Sequence, residues 1–151
     1  MNVTQELVDD YAMANGLPIS DPASGYNPQK PYENREKRFY QDIIYDGSTF
    51  MGQEAIYWTG SGSLNELDLN FGGTNRPATV YHPRKAIENQ YYINGWNNMS
   101  SANWVIFRYA EVVLSYAEAQ NEAVGPDASV YDSINVVRAR VGLPAMKAGL
   151  T

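Results

Sequence analysis

The chain has 151 residues, a formal net charge of −6 at pH 7 and no cysteine. A hydrophobic content of 44% at this length suits one domain with a real core, while the negative charge disfavours nucleic acid and anionic membrane surfaces. Without cysteine, this stretch has no disulfide, no thiolate catalysis, no cysteine zinc site and no cysteine-borne lipid. It also has no run of about 20 apolar residues to span a bilayer as a helix. The opening MNVTQELVDDY lacks the basic start and apolar middle of a signal peptide, so the chain as given reads as soluble and without an address.

In chain order, Thr4 is placed to cap a short helix over residues 5–15, with Leu7, Val8 and Tyr11 as its apolar stripe and Gly16 as its stop. The run LPISDPASGYNPQKPY, residues 17–32, is too rich in Pro, Gly, Ser and Asn for regular structure. NREKR, residues 34–38, is compact and basic. FYQDIIY, residues 39–45, is β-branched and aromatic and stops at Asp46-Gly47, which predicts a short strand. EAIYWT, residues 54–59, is a second strand candidate. Leu67, Leu69 and Phe71, alternating with Asp68 and Asn70, make a weaker third. Residues 72–103 are loop-dominated, with a brief extended piece at Tyr91 to Ile93.

The last third changes character. The spacing predicts a helix from Asn103 or Trp104 to Ala123, with Val105, Tyr109, Val112, Val113 and Tyr116 as one stripe. Ile106, Ala110, Leu114 and Ala117 widen that stripe, and the small residues admit a close neighbour. Gly125-Pro126 ends it, and Asp127 caps a second helix over residues 128–141, closed by Gly142 and Pro144. Two helices so closely joined form an antiparallel hairpin of tetratricopeptide type. The fold class is therefore mainly α: a helical hairpin over residues 103–144, after a loop-rich region over residues 1–102 with one short helix and short strands. A lone hairpin leaves a greasy side uncovered, so either the irregular segment upstream covers it, or the chain is one partial domain of an α-α superhelix whose cover lies in another part of a longer protein.

Candidate chemistry is sparse. His82 is the one histidine, and neither an orienting partner nor a second metal ligand is visible for it. Glu66 and Asp68 share a strand face near the separation used by glycosidases, but such pairs usually form a solvated edge. Glu118 and Glu122 make an acidic helix face, and Arg108 and Glu111 pair locally. The glycines of TGSGS and GGTNRP lack the lysine of a phosphate loop. Asn2 and Asn98 match the short glycosylation acceptor pattern. The expectation is a chain without catalytic residues, cofactor or metal.

Twelve tyrosines stand beside three tryptophans and four phenylalanines, an aromatic content of 13%. Tyr57-Trp58 precedes a Gly/Ser tip, and Trp96 lies in NGWNN. An aromatic ring in a polar loop either packs under its own loop or offers a flat apolar face, and sugars stack on such faces. Tyr57, Trp58 and Trp96 are the candidate ligand-binding residues.

The helix Arg108 to Ala119 (RYAEVVLSYAEA) with its continuation Asn121-Glu122-Ala123 is similar to a hallmark of the SusD/RagB family. So are YDSINVVRAR, residues 131–140, the closing Gly142-Leu143-Pro144, and TQELVDDY, residues 4–11. Asn34-Arg35-Glu36-Lys37-Arg38-Phe39 resembles the family's Asn-Arg-Asp-Pro-Arg stretch, with Glu-Lys in its middle. The resemblance implies a surface lipoprotein of Gram-negative bacteria that captures glycans. It implies hand-over to a SusC-type TonB-dependent outer-membrane transporter, with no enzymatic activity. Family members are several times longer and start with a lipid-bearing cysteine. This implies a parent anchored to the outer membrane at the cell surface, and an apolar patch on the fragment open to self-association. The alternative is a helical protein-interaction module that binds no sugar.

Overall fold

A computed structural model describes residues 3–50, 52–57, 79, 81–85, 105–147 and 149. Among these, the helices are α1 (Gln5–Asp10), α2 (Lys37–Asp42), α3 (Tyr109–Val124) and α4 (Ala128–Arg140), with a 3-10 turn at Pro22–Ser24. The strands are two residues each: β1 (Ile43–Ile44), β2 (Thr49–Phe50), β3 (Gln53–Glu54) and β4 (His82–Pro83). The architecture is mainly α, with a hairpin and a few short strands. The third strand candidate and the extended piece at Tyr91 to Ile93 lie outside the described residues. The chain divides into two compact units, Met1–Tyr11 with Arg38–Ala102, and Ala12–Lys37 with Asn103–Thr151.

In the first unit the Thr4 hydroxyl caps α1 by accepting from the Leu7 amide at 3.3 Å. The helix is shorter than its predicted span to residue 15. Tyr11 turns to extended backbone, and Met13 forms an antiparallel bridge with Arg35 within the second unit. The gain is backbone pairing, because the Ala12 carbonyl accepts from the Glu36 amide and the Asn34 carbonyl from the Ala14 amide.

The predicted strand over residues 39–45 is corrected: Lys37–Asp42 is helical, and only Ile43–Ile44 is strand. One helical turn buries Phe39 completely. Its ring stacks on Tyr45 at 5.1 Å and meets Tyr11 and Tyr40 edge-on at 5.9 and 5.2 Å. Antiparallel ladders then pair Ile43 and Ile44 with Pro83 and His82, and Thr49 and Phe50 with Glu54 and Gln53. Ile44, Ala55 and Tyr57 form a small core, with Phe50 packed on it.

In the second unit α3 and α4 form the expected hairpin. Asp127 caps α4 by accepting from the Ser129 and Val130 amides at 2.9 and 3.2 Å, and it also accepts from the Gln120 amide group at 2.9 Å. Gly142, at φ +76°, and Leu143 close the helix by donating to the Ala139 and Arg138 carbonyls. Beyond Pro144 the tail is held by Asn135, whose amide accepts from the Met146 amide at 2.7 Å and donates to the Met146 carbonyl at 3.1 Å.

The first helix of the hairpin starts later than its predicted start at residue 103 or 104. Val105 to Phe107 are not helical, and Arg108 is the N-terminal flank, with extended backbone at φ −134° and ψ 146° and no side-chain cap. β-Branched Val105 and Ile106 and the aromatic Phe107 are poor helix formers. The face that meets α4 is Ala110, Val113, Ala117 and Gln120, of which Ala117 is buried. Of the stripe named from the sequence, Tyr109, Val112 and Tyr116 are exposed, at 76%, 45% and 50%.

Candidate functional site

The aromatic candidates begin at Tyr57, the last described residue before the Gly/Ser tip. Asp46, at the turn after β1, accepts from the Tyr57 amide at 2.9 Å. That bond returns the chain from β3 onto the Ile44–Ala55 core. The Tyr57 ring is buried and lies 5.5 Å from the imidazole of His82, tilted by 31°. Its hydroxyl sits 2.9 Å from His82 Nδ1. Burial, followed by the negative charge of Asp46, pushes the Tyr57 phenol up to about 12, so it stays protonated at every physiological pH. Burial pulls His82 below the ordinary histidine value, and the imidazole is neutral near pH 7.

A Ser-His-Asp arrangement needs a carboxylate on His82 Nδ1; that nitrogen has a phenol instead. Tyr57, a candidate ligand contact, has its ring buried beside His82. Trp58, Trp96, Glu66 and Asp68 lie outside the described residues. Among the described residues no group of three or more His, Asp and Glu side chains is placed to hold a metal ion.

Sequence reasoning missed the interior role of Arg35 and Glu36, read as part of a compact basic stretch. Both are buried. Arg35 Nη1 donates to the Pro31 carbonyl at 3.1 Å, and its guanidinium sits 5.8 Å from the Tyr26 ring centre. Glu36 Oε1 accepts from the Ala12 amide at 3.0 Å. No local signal marked this burial, because Lys37 and Arg38 separate the two from Phe39 and make the stretch read as basic. The surrounding loop is built from side chains that imitate backbone turns. Asp21 accepts from the Ala23 amide, Asn27 from the Gln29 amide and Asn15 from the Leu17 amide.

The hairpin carries two open, shallow grooves. One, of about 400 Å³, runs along the N-terminal half of α3 between Ile106, Phe107, Leu114 and Arg140. The other, of about 340 Å³, lies between Leu114, Ala117, Tyr131, Ile134 and Met146. The first groove mixes apolar walls with Arg108, Glu111, Ser115, Glu118 and Arg140, and the second is mainly apolar, with Glu118 and Asn121 at its edge.

Comparison with curated proteins gave no match. Six chains of solved structures match. A SusD-like protein from Bacteroides fragilis NCTC 9343 is 29% identical, with a TM-score of 0.68 over 98% of this chain and 30% of that one. A SusD-like carbohydrate binding protein from the same strain is 29% identical, with a TM-score of 0.70 over 94% of this chain and 28% of that one. A selenomethionine form of BT4246 is 21% identical, with a TM-score of 0.73 over 98% of this chain and 29% of that one, and shows the shared fold alone. The chain thus spans less than a third of the length of each of these structures. The SusD family model matches residues 1–149, nearly the whole sequence. The hairpin, the buried Arg35-Glu36 pair and the short ladders are therefore those of a chain that belongs to the SusD family.

Proposed function

We propose that this chain is part of a cell-surface glycan-binding protein that captures oligosaccharide for nutrient uptake and makes or breaks no covalent bond. The family match over residues 1–149 carries this reading. It gains support from the 29% identity to a SusD-like carbohydrate binding protein. In this reading Trp58 and Trp96 are the stacking faces for the glycan, with Tyr57, held through Asp46 and His82, as the third candidate contact. The parent protein is anchored to the outer membrane by lipid and passes its ligand to a SusC-type TonB-dependent transporter. Among the described residues no helix is long and apolar enough to cross a membrane.

Affinity electrophoresis in gels containing a panel of polysaccharides tests the proposal. The chain is expected to be retarded by at least one glycan. Trp58→Ala and Trp96→Ala each weaken that retardation about five- to tenfold, as loss of an aromatic stacking face demands. Mobility unchanged across the panel, for a sample whose far-UV spectrum shows folded helices, counts against glycan binding. The alternative, a protein-interaction module without sugar binding, is favoured by the exposed apolar side of α3. Capture of a transporter from membrane extract, with no glycan retarding the chain, selects it.

A further inference from the structure

The turn after β1 brings together the two groups that make an aspartyl-glycine pair chemically labile. Asp46 carries its carboxyl one bond from Cβ, and Gly47 has no side chain to shield its backbone nitrogen. In the fold that nitrogen and that carboxyl are both committed elsewhere. The Gly47 amide donates to the Ala55 carbonyl at 2.8 Å. Asp46 Oδ1 accepts from the Tyr57 amide at 2.9 Å. Gly47 sits at φ +81°, and the Ser48 amide closes the turn on the Tyr45 carbonyl at 2.9 Å. The two restraints share one source, the return segment Ala55 to Tyr57. That segment is held by the Ala55 amide on the Ser48 carbonyl at 2.8 Å, by packing of Ala55 and Tyr57 with Ile44, and by the Tyr57 hydroxyl beside His82 Nδ1.

We propose that Asp46-Gly47 is a site of isoaspartate modification, which the docked return segment holds closed and which opens when that segment lifts. Once Ala55 and Tyr57 are displaced, the Gly47 N–H loses its acceptor and the Asp46 carboxyl loses its donor. The Gly47 nitrogen then attacks Asp46 Cγ. An N–Cγ bond forms, the Cγ–O bond of the protonated carboxyl breaks, and its hydroxyl leaves with the amide proton as water. The product is a succinimide ring. Water adds to the former main-chain carbonyl of Asp46 and cleaves its bond to nitrogen. The main chain then runs through Cβ and Cγ, and the old carbonyl becomes a free carboxylate. The two steps release and consume one water and need no oxidant, reductant or cofactor. The lengthened turn no longer presents a side-chain carboxylate to the Tyr57 amide, so a modified chain does not re-form the 2.9 Å bond. The inference stands apart from glycan binding and does not rest on it.

The test is incubation of the full chain for weeks at neutral pH, followed by peptide mapping for isoaspartate at position 46. A synthetic peptide of Ile43 to Phe50 serves as the unrestrained reference. The folded chain is expected to accumulate isoaspartate at least about tenfold more slowly than the peptide. Tyr57→Phe removes one support of the return segment. It raises the rate about five- to tenfold, in step with faster hydrogen exchange at the Gly47 amide. Urea below the unfolding transition raises both rates together, which keeps the test decisive if Tyr57→Phe fails to fold. Equal rates in the folded chain and the peptide overturn the proposal. So does a rate in folded Tyr57→Phe equal to that of the native chain, or one that follows only global unfolding in urea.

Discussion

The Tyr57–His82 contact is the residue-level feature with the clearest energetic consequence. Replacing Tyr57 with Phe keeps the ring in its buried seat and removes only the hydroxyl at 2.9 Å from Nδ1. A half-buried imidazole nitrogen then loses its partner. The expected cost is about 1–2 kcal/mol in chemical denaturation, with an unchanged denaturant slope. His82 adds a pH dependence of definite sign. Burial holds its folded-state value below the ordinary 6.5, so the folded chain resists the proton that the unfolded chain accepts. Its contribution is complete above about pH 6.5 and is lost as pH falls toward the depressed value. A series of melts from pH 8 to pH 5 is expected to show this loss, and His82→Gln to flatten it. Neither contact was legible in the sequence. Tyr57 and His82 are 25 positions apart, and nothing local in HP or YW announces the pair. The same applies to Arg35, whose burial depends on Pro31 and Tyr26 folding back over it.

Individual elements were legible where a single residue dictates backbone geometry and obscure where packing decides. Thr4, Asp127 and Gly142 were read correctly as helix boundaries, because capping and left-handed backbone are local chemistry. Residues 39–45 were read as strand because a short aromatic and β-branched run fits either period. Burial of Phe39 among three tyrosines resolved it toward helix for the first turn. The start of α3 was placed too early because Val105 to Phe107 extend the apolar run although they are poor helix formers. Gly16 marks a stop, as predicted, but of a turn and not of a helix. Its φ of +82° is left-handed, and a Cβ there would lie 2.6 Å from an Arg138 guanidinium nitrogen and 3.3 Å from Pro144 Cδ. Gly16→Ala is therefore expected to destabilise the unit by about 1 kcal/mol or more in thermal melts, from backbone strain added to the displacement of Arg138.

At the scale of the whole molecule, hydropathy in α3 predicted a helix with more apolar surface than one neighbour can cover, and the exposures of Tyr109, Val112, Leu114 and Tyr116 agree. Which part of that surface meets α4 was not legible. The small residues decide it: Ala110 and Ala117 let α4 come close, and the bulkier stripe is left on the flank. For the candidate site, the sequence located aromatic residues in polar loops but not their orientation, since loop side chains take their positions from distant partners. Tyr57 turned inward to His82.

The clasp between Asn135 and Met146 has a chemical consequence of its own. One carboxamide acts as a substitute peptide group, giving and receiving at once, so a helix gains a strand-like edge at a single point along its length. Hydrolysis of that amide to a carboxylate, the slow fate of asparagine in ageing protein, would erase the donor and set oxygen against oxygen. The grip on the trailing polypeptide therefore has a shelf life set by covalent chemistry as well as by folding.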